Sequence, residues 1–329
     1  MILNLLNRKE HIIGAYVSGR LGNQMFQYAF AKAIKIAQGN SGFLVFNFGR
    51  VYRAGQKSDG FEDTLKYFNV EPYRTENGNL VLKYGSMHQK FVYLLYVASI
   101  KLFHANYNGE RWLSFLRRVG LLYSNYGDHR FSIYKKYLNQ SEKRKTLICY
   151  GKFENPEYFD SIKSILIEEF TPKLPPLNEN KELYDIIQQK NSVCVVVRRG
   201  DYLSAEFKAQ FYVCDEEYFQ NAIEKMKVLI ENPVFVFFSN DIDWVKKNIK
   251  IDLPAYYEPK ENPVWESMRM MYNCKHFIIS NGTFSWWGQY LSRNENKIVI
   301  SPDHWYNNVD VDHTELLTDN FIRIPCKFT

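Results

Sequence analysis

The sequence lacks the features of a disulfide-stapled or membrane-spanning protein. None of its five cysteines forms a C-x-x-C pair, which argues against a disulfide framework or a zinc ribbon and favours a reducing compartment. Its longest apolar run, residues 91–100, is about half of what a bilayer-spanning helix needs. The apolar stretch within residues 1–10 is too short and too polar for a signal peptide. We therefore expect a cytoplasmic protein that is soluble or peripheral to a membrane.

Neither sign of charge is in large excess. Lys and Arg number 42 against 36 Asp and Glu, a net charge of +6. This charge suits an anionic small ligand or a membrane surface, but it is too weak to imply nucleic acid. A hydrophobic content of 46% excludes a disordered chain. The length of 329 residues suggests about two domains.

Predicted strands and helices alternate along the chain. Continuous apolar runs predict buried parallel strands, and they cover residues 12–17, 193–197, 234–238, 277–279 and 298–300. One-sided apolar stripes predict helices, and they cover residues 26–37, 158–169, 216–230 (with Asp215 as the expected cap) and 265–272. Helices are also expected within residues 50–150. The alternation predicts an α/β fold of parallel sheets covered by helices.

A glycine-containing turn follows the first predicted strand. Gly19 and Gly22 allow close backbone approach, and the helix that follows would direct its N–H groups at an anion. The turn matches neither the G-x-G-x-x-G nor the Walker pattern, which disfavours a nicotinamide oxidoreductase or an ATP site. The alternative is a purely structural turn in which Asn23 caps the helix.

Two arginines, Arg198 and Arg199, end the predicted strand 193–197. The carboxyl ends of parallel strands open onto ligand crevices, and a guanidinium group can bind a phosphate through two hydrogen bonds. Because side chains alternate along a strand, we expect the two arginines to face opposite ways. One would bind a ligand, and the other would pair with a structural acid such as Asp201. The alternative is a salt-bridged pair that only closes the strand.

Two further strand ends carry polar residues. Asp241 and Asp243 resemble the D-x-D pair that holds Mg²⁺ or Mn²⁺ on a nucleotide-sugar, although we favour Asp241 as the cap of a helix. Residues 280–288 place small hydroxyl side chains between a strand and a helix, which makes another anion-accepting turn. The two tryptophans in it, taken singly, indicate core positions. Together, the strand ends predict one anionic nucleotide in a cleft between two domains.

In their order and spacing, these blocks resemble the alpha-1,2-fucosyltransferases of glycosyltransferase family 11. The resemblance covers nearly the whole chain except residues 50–145 and includes Cys274-Lys275-His276. It rests on GRLGNQMFQYA at 19–29, VRRGDY at 197–202, FSNDIDW at 238–244 and NGTFSWW at 281–287, with support from GKFENPEYF at 151–159.

The resemblance implies a GT-B-like architecture, in which two Rossmann-like domains face each other across a cleft. Residues 1–170 would form a mainly acceptor-side domain, the proline-rich residues 171–180 a linker, and residues 181–329 a domain that binds the GDP-sugar. The last residues are expected to pack back on the first domain. The implied reaction is the inverting transfer of L-fucose from GDP-fucose to a galactose 2-hydroxyl of a glycan, with no cofactor and no obligatory metal.

The resemblance also implies roles for individual residues. Arg198 matches the phosphate-binding arginine of the family and Asp201 the acid that closes the same motif, and both are candidate catalytic residues. Glu266 lies where a carboxylate would contact the nucleoside. The predicted contacts with GDP-fucose are Gly22, Asn23, Arg198, Asp241, Glu266, Thr283, Phe284 and Ser285.

Some positions depart from the family pattern. Val196 replaces a histidine, Asn240 an aspartate and Gly282 a serine, which leaves the acceptor and the linkage open. One alternative is therefore a fucosyltransferase of different linkage or acceptor. Another is a metal-dependent nucleotide-sugar transferase that uses Asp241 and Asp243. A third is a non-catalytic glycan-binding protein, which the aromatic content of 16% suggests.

Overall fold

The chain forms two compact units. A computed structural model describes residues 11–104, 106, 109–124, 130–138, 146–204, 207–307 and 314–327, without the side chains of Phe103 and Asp201. Unit 1 comprises Met1–Leu65 and Val70–Lys163, and unit 2 comprises Lys66–Asn69 and Ser164–Thr329.

Unit 1 is built on a parallel sheet with the strand order β3-β2-β1-β5-β4. Its strands are β1 (Ile12–Tyr16), β2 (Phe43–Asn47), β3 (Tyr73–Thr75), β4 (Leu121–Tyr123) and β5 (Leu147–Tyr150). Its helices are α1 (Leu21–Ala37), α2 (Gly49–Gly55), α3 (Leu80–Tyr84), α4 (Met87–Phe103), α5 (Glu110–Arg118) and α6 (Phe131–Leu138). The order along the sheet reverses between β1 and β5, so the turn that follows β1 lies at a switch point, where α/β sheets bind ligands.

Helix α1 carries much of the aromatic core of unit 1. The ring of Phe30 stacks on that of Phe153, with centroids 3.9 Å apart. Tyr134 and Tyr158 meet Phe30 edge-on at 5.3 and 5.2 Å. Such pairs stabilise a core beyond the area that they bury. Much of the aromatic surplus of the sequence therefore serves packing in this unit.

Unit 2 contains a second parallel sheet, with the strand order β11-β10-β9-β6-β7-β8. Its strands are β6 (Asn191–Val197), β7 (Pro233–Ser239), β8 (Ala255–Tyr257), β9 (His276–Ile278), β10 (Val299–Pro302) and β11 (Ile322–Ile324). Its helices are α7 (Lys163–Glu169), α8 (Lys181–Gln189), α9 (Lys208–Phe211), α10 (Glu216–Leu229), α11 (Ile242–Asn248), α12 (Val264–Asn273) and α13 (Thr283–Tyr290).

The core of unit 2 explains why β6 is a continuous apolar run. Val193, Val195 and Val197 are buried in one cluster with Phe235 and Phe237 of β7. The alternate residues of β6 are buried as well, because helices cover both faces of a parallel sheet. Counted from its own first strand, this sheet has the Rossmann order 3-2-1-4-5-6, with its switch point between β6 and β9.

The predicted α/β class with two Rossmann-like units is confirmed. All the strands and helices predicted by residue range are found, with ends shifted by a few residues. In the range 158–169 the structure has short 3₁₀ turns at Pro156–Tyr158 and Asp160–Ile162 before α7. Residues 50–150 contain the expected helices and also β3, β4 and β5. The sequence analysis predicted none of these three strands, and it also missed β2, β8 and β11.

The division of the chain differs from the predicted one. Residues 171–180 lie within unit 2 and are not a linker, because Pro172 pairs with Phe68 and Lys173 N donates to Tyr67 O at 2.9 Å. The last described residues, up to 327, belong to unit 2, where β11 pairs with β10. The expected packing of the last residues on the first domain stays a prediction.

Candidate functional site

The carboxyl ends of β6, β7 and β9 bring together most of the predicted site residues of unit 2. Ser239 Oγ at the end of β7 donates to Val197 O at the end of β6, at 2.8 Å. Tyr202 Oη, beyond β6, donates to Asn281 O beyond β9, at 3.2 Å. The three strand ends are therefore tied to one another at the switch point of the sheet, where ligands bind in Rossmann-like folds.

Arg198 and Arg199 leave β6 toward different neighbours. The guanidinium carbon of Arg198 lies 5.3 Å from the ring centre of Tyr202. That of Arg199 lies 3.5 Å from the ring centre of Trp244, and its Nε is 3.5 Å from Asp241 Oδ2. The two side chains therefore contact different residues, and that they face opposite ways stays a prediction. The acid beside Arg199 is Asp241, whereas the side chain of Asp201, the expected partner, lies outside the described residues.

The backbone at Gly200, just after the two arginines, packs tightly against Asn240, which follows β7. Gly200 has φ +32°, and a Cβ there would lie 2.0 Å from Asn240 Nδ2. Asn240, which replaces the aspartate of the family, accepts a hydrogen bond from Arg199 N at 3.1 Å. Val196, which replaces the histidine, is buried and pairs with Phe238. An apolar contact thus stands where the family has an imidazole.

Asp241 caps α11, as the sequence analysis favoured. Its Oδ1 accepts from Trp244 N at 3.3 Å, and its own N–H donates to Ser239 Oγ at 3.0 Å. The side chain is still 40% exposed, and its contact with the donor stays a prediction. No group of three or more His, Cys, Asp or Glu residues that could hold a metal ion occurs in the described part of the chain.

The turn after β9 leads into α13, which begins at Thr283 with Gly282 as its N-cap. Ser285 Oγ lies 2.7 Å from both Ser280 O and Gly282 O, so its single O–H donates to one of the two carbonyls of the turn or is shared between them, and Ser285 is buried. Its hydroxyl therefore shapes the turn. Thr283 and Phe284 are partly exposed at the helix N-terminus, where backbone N–H groups favour an anion.

The two tryptophans of this segment are core residues. Trp286 and Trp287 are buried, and Trp286 Nε1 donates to Leu316 O at 3.0 Å. The ring of Trp287 meets that of Phe170 edge-on at 5.2 Å. The interpretation of these side chains as core is confirmed.

In unit 1, the predicted turn after β1 is present, but Asn23 is not the cap of the helix. Gly19 has φ +77°, which turns the chain early, so Arg20 takes the N-cap position and α1 begins at Leu21. Gly22 and Asn23 therefore lie in the first helical turn. A Cβ at Gly19 would lie 2.8 Å from Asn23 Cβ, so only glycine fits this position.

Two buried glutamines that the sequence analysis missed hold this turn in place. Gln24 Nε2 donates to Gly19 O at 3.0 Å, and its Oε1 accepts from Thr64 N at 3.0 Å. Gln27 Oε1 accepts from Ser18 N at 2.9 Å, and its Nε2 donates to Gly151 O at 3.1 Å. Both side chains are fully buried. The available signal was the pair of amides, three residues apart, inside an apolar helix.

Glu266 lies in the interior of unit 2. It is completely buried, Oε2 accepts from Arg269 Nη1 at 2.9 Å, and Oε1 accepts from Leu177 N at 2.9 Å and Asn180 Nδ2 at 3.1 Å. The contacts described for this carboxylate are thus structural. They fix residues 172–180 to α12, because Arg269 Nη2 also donates to Pro172 O at 3.3 Å. The contact of Glu266 with the nucleoside stays a prediction.

A further carboxylate, Glu258, lies just beyond β8 and was missed. Its Oε1 accepts from Ser239 N at 3.1 Å, and its Oε2 accepts from Ser267 Oγ at 2.6 Å. Because Ser239 in turn contacts Val197 and Asp241, Glu258 supports the strand ends that carry the site. Burial raises the pKa of the Glu258 carboxyl to about 7, although both hydrogen bonds act in the opposite direction.

This raised pKa predicts a pH-dependent stability. Between about pH 4.5 and about pH 7 the folded protein holds a proton on Glu258 that the unfolded chain releases, so raising the pH favours unfolding. The stabilisation is complete below the ordinary pKa and is lost as the pH passes about 7. We expect the wild type to lose about 3 kcal/mol relative to Glu258→Gln between about pH 4.5 and about pH 8. Urea unfolding of both proteins across this range measures the difference, and parallel curves would contradict it.

Comparisons with known proteins place the chain among the glycosyltransferases. The family model described as Glycosyl transferase family 11 matches residues 123–321, more than half of the chain. The chain belongs to glycosyl transferase family 11.

Several relatives carry related activities in their names. An alpha-1,2-colitosyltransferase of Escherichia coli is 29% identical over 95% of this chain and 99% of its own length. The O-antigen biosynthesis glycosyltransferase WbnK of Escherichia coli is 29% identical over 53% of this chain and 60% of its own. The human galactoside alpha-(1,2)-fucosyltransferase 1 is 35% identical over 30% of this chain and 28% of its own.

Solved structures give more remote likenesses. The NodZ alpha-1,6-fucosyltransferase soaked with GDP-fucose is 12% identical, with a TM-score of 0.47 over 90% of this chain and 96% of its own. A point mutant of Arabidopsis thaliana FUT1 in complex with GDP is 11% identical, with a TM-score of 0.47 over 94% of this chain and 76% of its own.

Proposed function

We propose that the protein transfers L-fucose from GDP-fucose to a galactose 2-hydroxyl of a glycan, with inversion at the anomeric carbon. The observation that carries the proposal is that Arg198 lies over Tyr202, whose hydroxyl donates to Asn281 O, two residues before α13, at the switch point of unit 2. A guanidinium fork and helix N–H groups are suited to a diphosphate. In unit 1, we propose that Gly22 and Asn23, in the first turn of α1, contact GDP-fucose.

The chemistry follows from where charge develops. As the bond between the sugar and GDP breaks, negative charge grows on the diphosphate while the acceptor hydroxyl attacks from the opposite face. Donors that are already aimed at that charge stabilise the transition state more than the bound substrate. Arg198 supplies two such N–H donors, and the turn at Thr283 supplies backbone donors. The proposed reaction needs no cofactor and no obligatory metal.

A second candidate is the transfer of a related sugar. The relative named alpha-1,2-colitosyltransferase aligns with almost the whole chain, so colitose is a candidate donor sugar beside fucose. Both candidates use the same diphosphate site. Val196, Asn240 and Gly282, which differ from the family pattern, do not favour one of these two sugars over the other.

A donor and acceptor panel tests the proposal. The protein is incubated with GDP-fucose or GDP-colitose and a set of galactosides, GDP release is followed, and the linkage is determined by NMR. We expect an alpha-1,2 product from GDP-fucose and unchanged rates in excess chelator. A product from GDP-colitose alone would favour the second candidate. Loss of activity in chelator, with recovery in Mn²⁺, would support a metal-dependent transferase using Asp241 and Asp243.

The non-catalytic alternative has its own readout. Calorimetric titration with GDP, in the absence of any glycan, is expected to show binding that Arg198→Ala weakens. Binding of galactosides without binding of GDP would contradict the proposed function and favour a glycan-binding protein. Peripheral membrane association concerns a different surface and does not enter this test.

A further inference from the structure

Helix α4 of unit 1 is apolar on two faces. On one face, Val92 and Tyr96 are buried against Leu113 and Leu116 of α5. The opposite face is exposed, although it is also apolar. A surface helix of a globular protein normally presents polar residues to water, and a helix that is apolar all round is covered by protein or lipid. The exposed face of α4 therefore needs an explanation.

The exposed side chains form one stripe along the helix. Met87 is 77% exposed, Phe91 62% and Leu102 71%. Positions three, four or seven residues apart lie on the same side of an α-helix, and the stripe runs the length of α4, roughly 25 Å. We call it the α4 stripe, and its members are Met87, Phe91, Leu94, Leu95 and Leu102.

The charged residues of α4 are all positive, and those of α5, which packs against it, are mainly positive. The sequence of α4 contains Lys90 and Lys101 but no acidic residue. In helix α5, Arg111 and Arg118 are exposed, whereas Glu110 is paired with Arg117. The helical spacing places Lys90 and Lys101 along one border of the stripe. An apolar stripe bordered by basic side chains is complementary to a lipid membrane with anionic headgroups, because the stripe can contact the acyl chains while the basic side chains contact the headgroups.

We infer that the α4 stripe docks the protein on an anionic lipid surface, with its apolar side chains inserted and its basic residues among the headgroups. A second copy of the chain fits less well, because a symmetric contact would bring the same positive charges together. No helix in the described residues is long and apolar enough to cross a membrane. The helix would therefore lie in the plane of the interface.

Vesicle sedimentation tests the inference with the full chain and without donor or acceptor. The vesicles contain phosphatidylcholine alone or a mixture with phosphatidylglycerol. We expect binding to the anionic vesicles that weakens with salt, and little binding to the neutral ones. The pair Lys90→Gln and Lys101→Gln should weaken binding about five-fold per residue at low salt. Phe91→Ser with Leu94→Gln should weaken it at least about ten-fold.

Matched variants separate docking from folding. Val228 of α10 is 82% exposed on unit 2, so Val228→Gln removes an apolar side chain that is more exposed than those of the α4 stripe and should bind vesicles like the wild type. Leu102→Gln tests the other end of the stripe if the double variant has a lower melting temperature. Circular dichroism and thermal unfolding of each variant report on the fold.

Distinct results would overturn the inference. One is a wild type that does not sediment with anionic vesicles. Another is a folded Phe91→Ser, Leu94→Gln variant that binds as tightly as the wild type. A third is a dimer in solution that this double variant dissociates, which would show that a second copy covers the stripe. Because the measurement uses no sugar nucleotide, its failure leaves the proposed transferase activity in place.

Discussion

Arg198→Lys is expected to lower kcat/KM for fucosyl transfer by roughly 100- to 1000-fold, with the fold intact. Lysine keeps the charge but loses the planar pair of donors that can bind a diphosphate through two hydrogen bonds. The interaction strengthens as the leaving group gains charge, so the loss should fall mainly on kcat. Steady-state kinetics with GDP-fucose measures it, and thermal unfolding checks the fold.

Arg199→Lys is the matched control, because it makes the same change one residue away. Arg199 packs over Trp244 and pairs with Asp241, so we expect a smaller effect on kcat and a lower melting temperature. If Arg198→Lys turned over at a near-normal rate, the assignment of the diphosphate to Arg198 would be wrong. Equal losses in both variants would instead point to a shared structural role.

Glu266→Ala is expected to destabilise the protein by about 3–5 kcal/mol. The carboxylate is completely buried, and its ion pair with Arg269 is nearly so. Removing it leaves the guanidinium of Arg269 buried without its counter-charge, and it leaves Leu177 N and Asn180 Nδ2 without the acceptor that they now share. Denaturant unfolding measures the difference in free energy.

Glu168→Ala is the control for this variant. Glu168 also pairs with an arginine, Arg293, but both side chains are about two-thirds exposed, and exposed pairs contribute at most about 1 kcal/mol. A role of Glu266 at the nucleoside would appear differently, as a raised KM for the donor at unchanged stability. That result would support the contact that the family resemblance implies and contradict the structural role.

The sequence predicts the central strands of unit 2 because their residues are buried on both faces. The unbroken apolar runs of β6 and β7 are the direct result of that burial. β3 and β4 have only three residues each, too few for a pattern to stand out among the aromatic and basic residues around them. Short length accounts for these strands and for β8 and β11, which also have three residues each, but not for β2, which has five.

The same limit applies to the site. The cap at Asp241 follows from the local rules of helix ends, so it could be predicted. The alternation of side chains along a strand likewise predicts different neighbours for Arg198 and Arg199. The supporting role of Glu258 could not be predicted, because Ser239, which it holds, lies 19 residues away along the chain. For Gln24 the apolar helix around it indicates burial, but nothing local identifies Thr64, 40 residues away, as its partner.

The path of the chain between the units constrains how the protein can be dissected. Residues Lys66–Asn69 belong to unit 2 although the sequence on both sides belongs to unit 1, and the buried ring of Phe68 packs against Phe170. A fragment that starts at Ser164 would lose this ring and expose the apolar surface beneath it. Truncated proteins, domain exchanges between relatives and split-protein designs must therefore keep Lys66–Asn69 together with the C-terminal half.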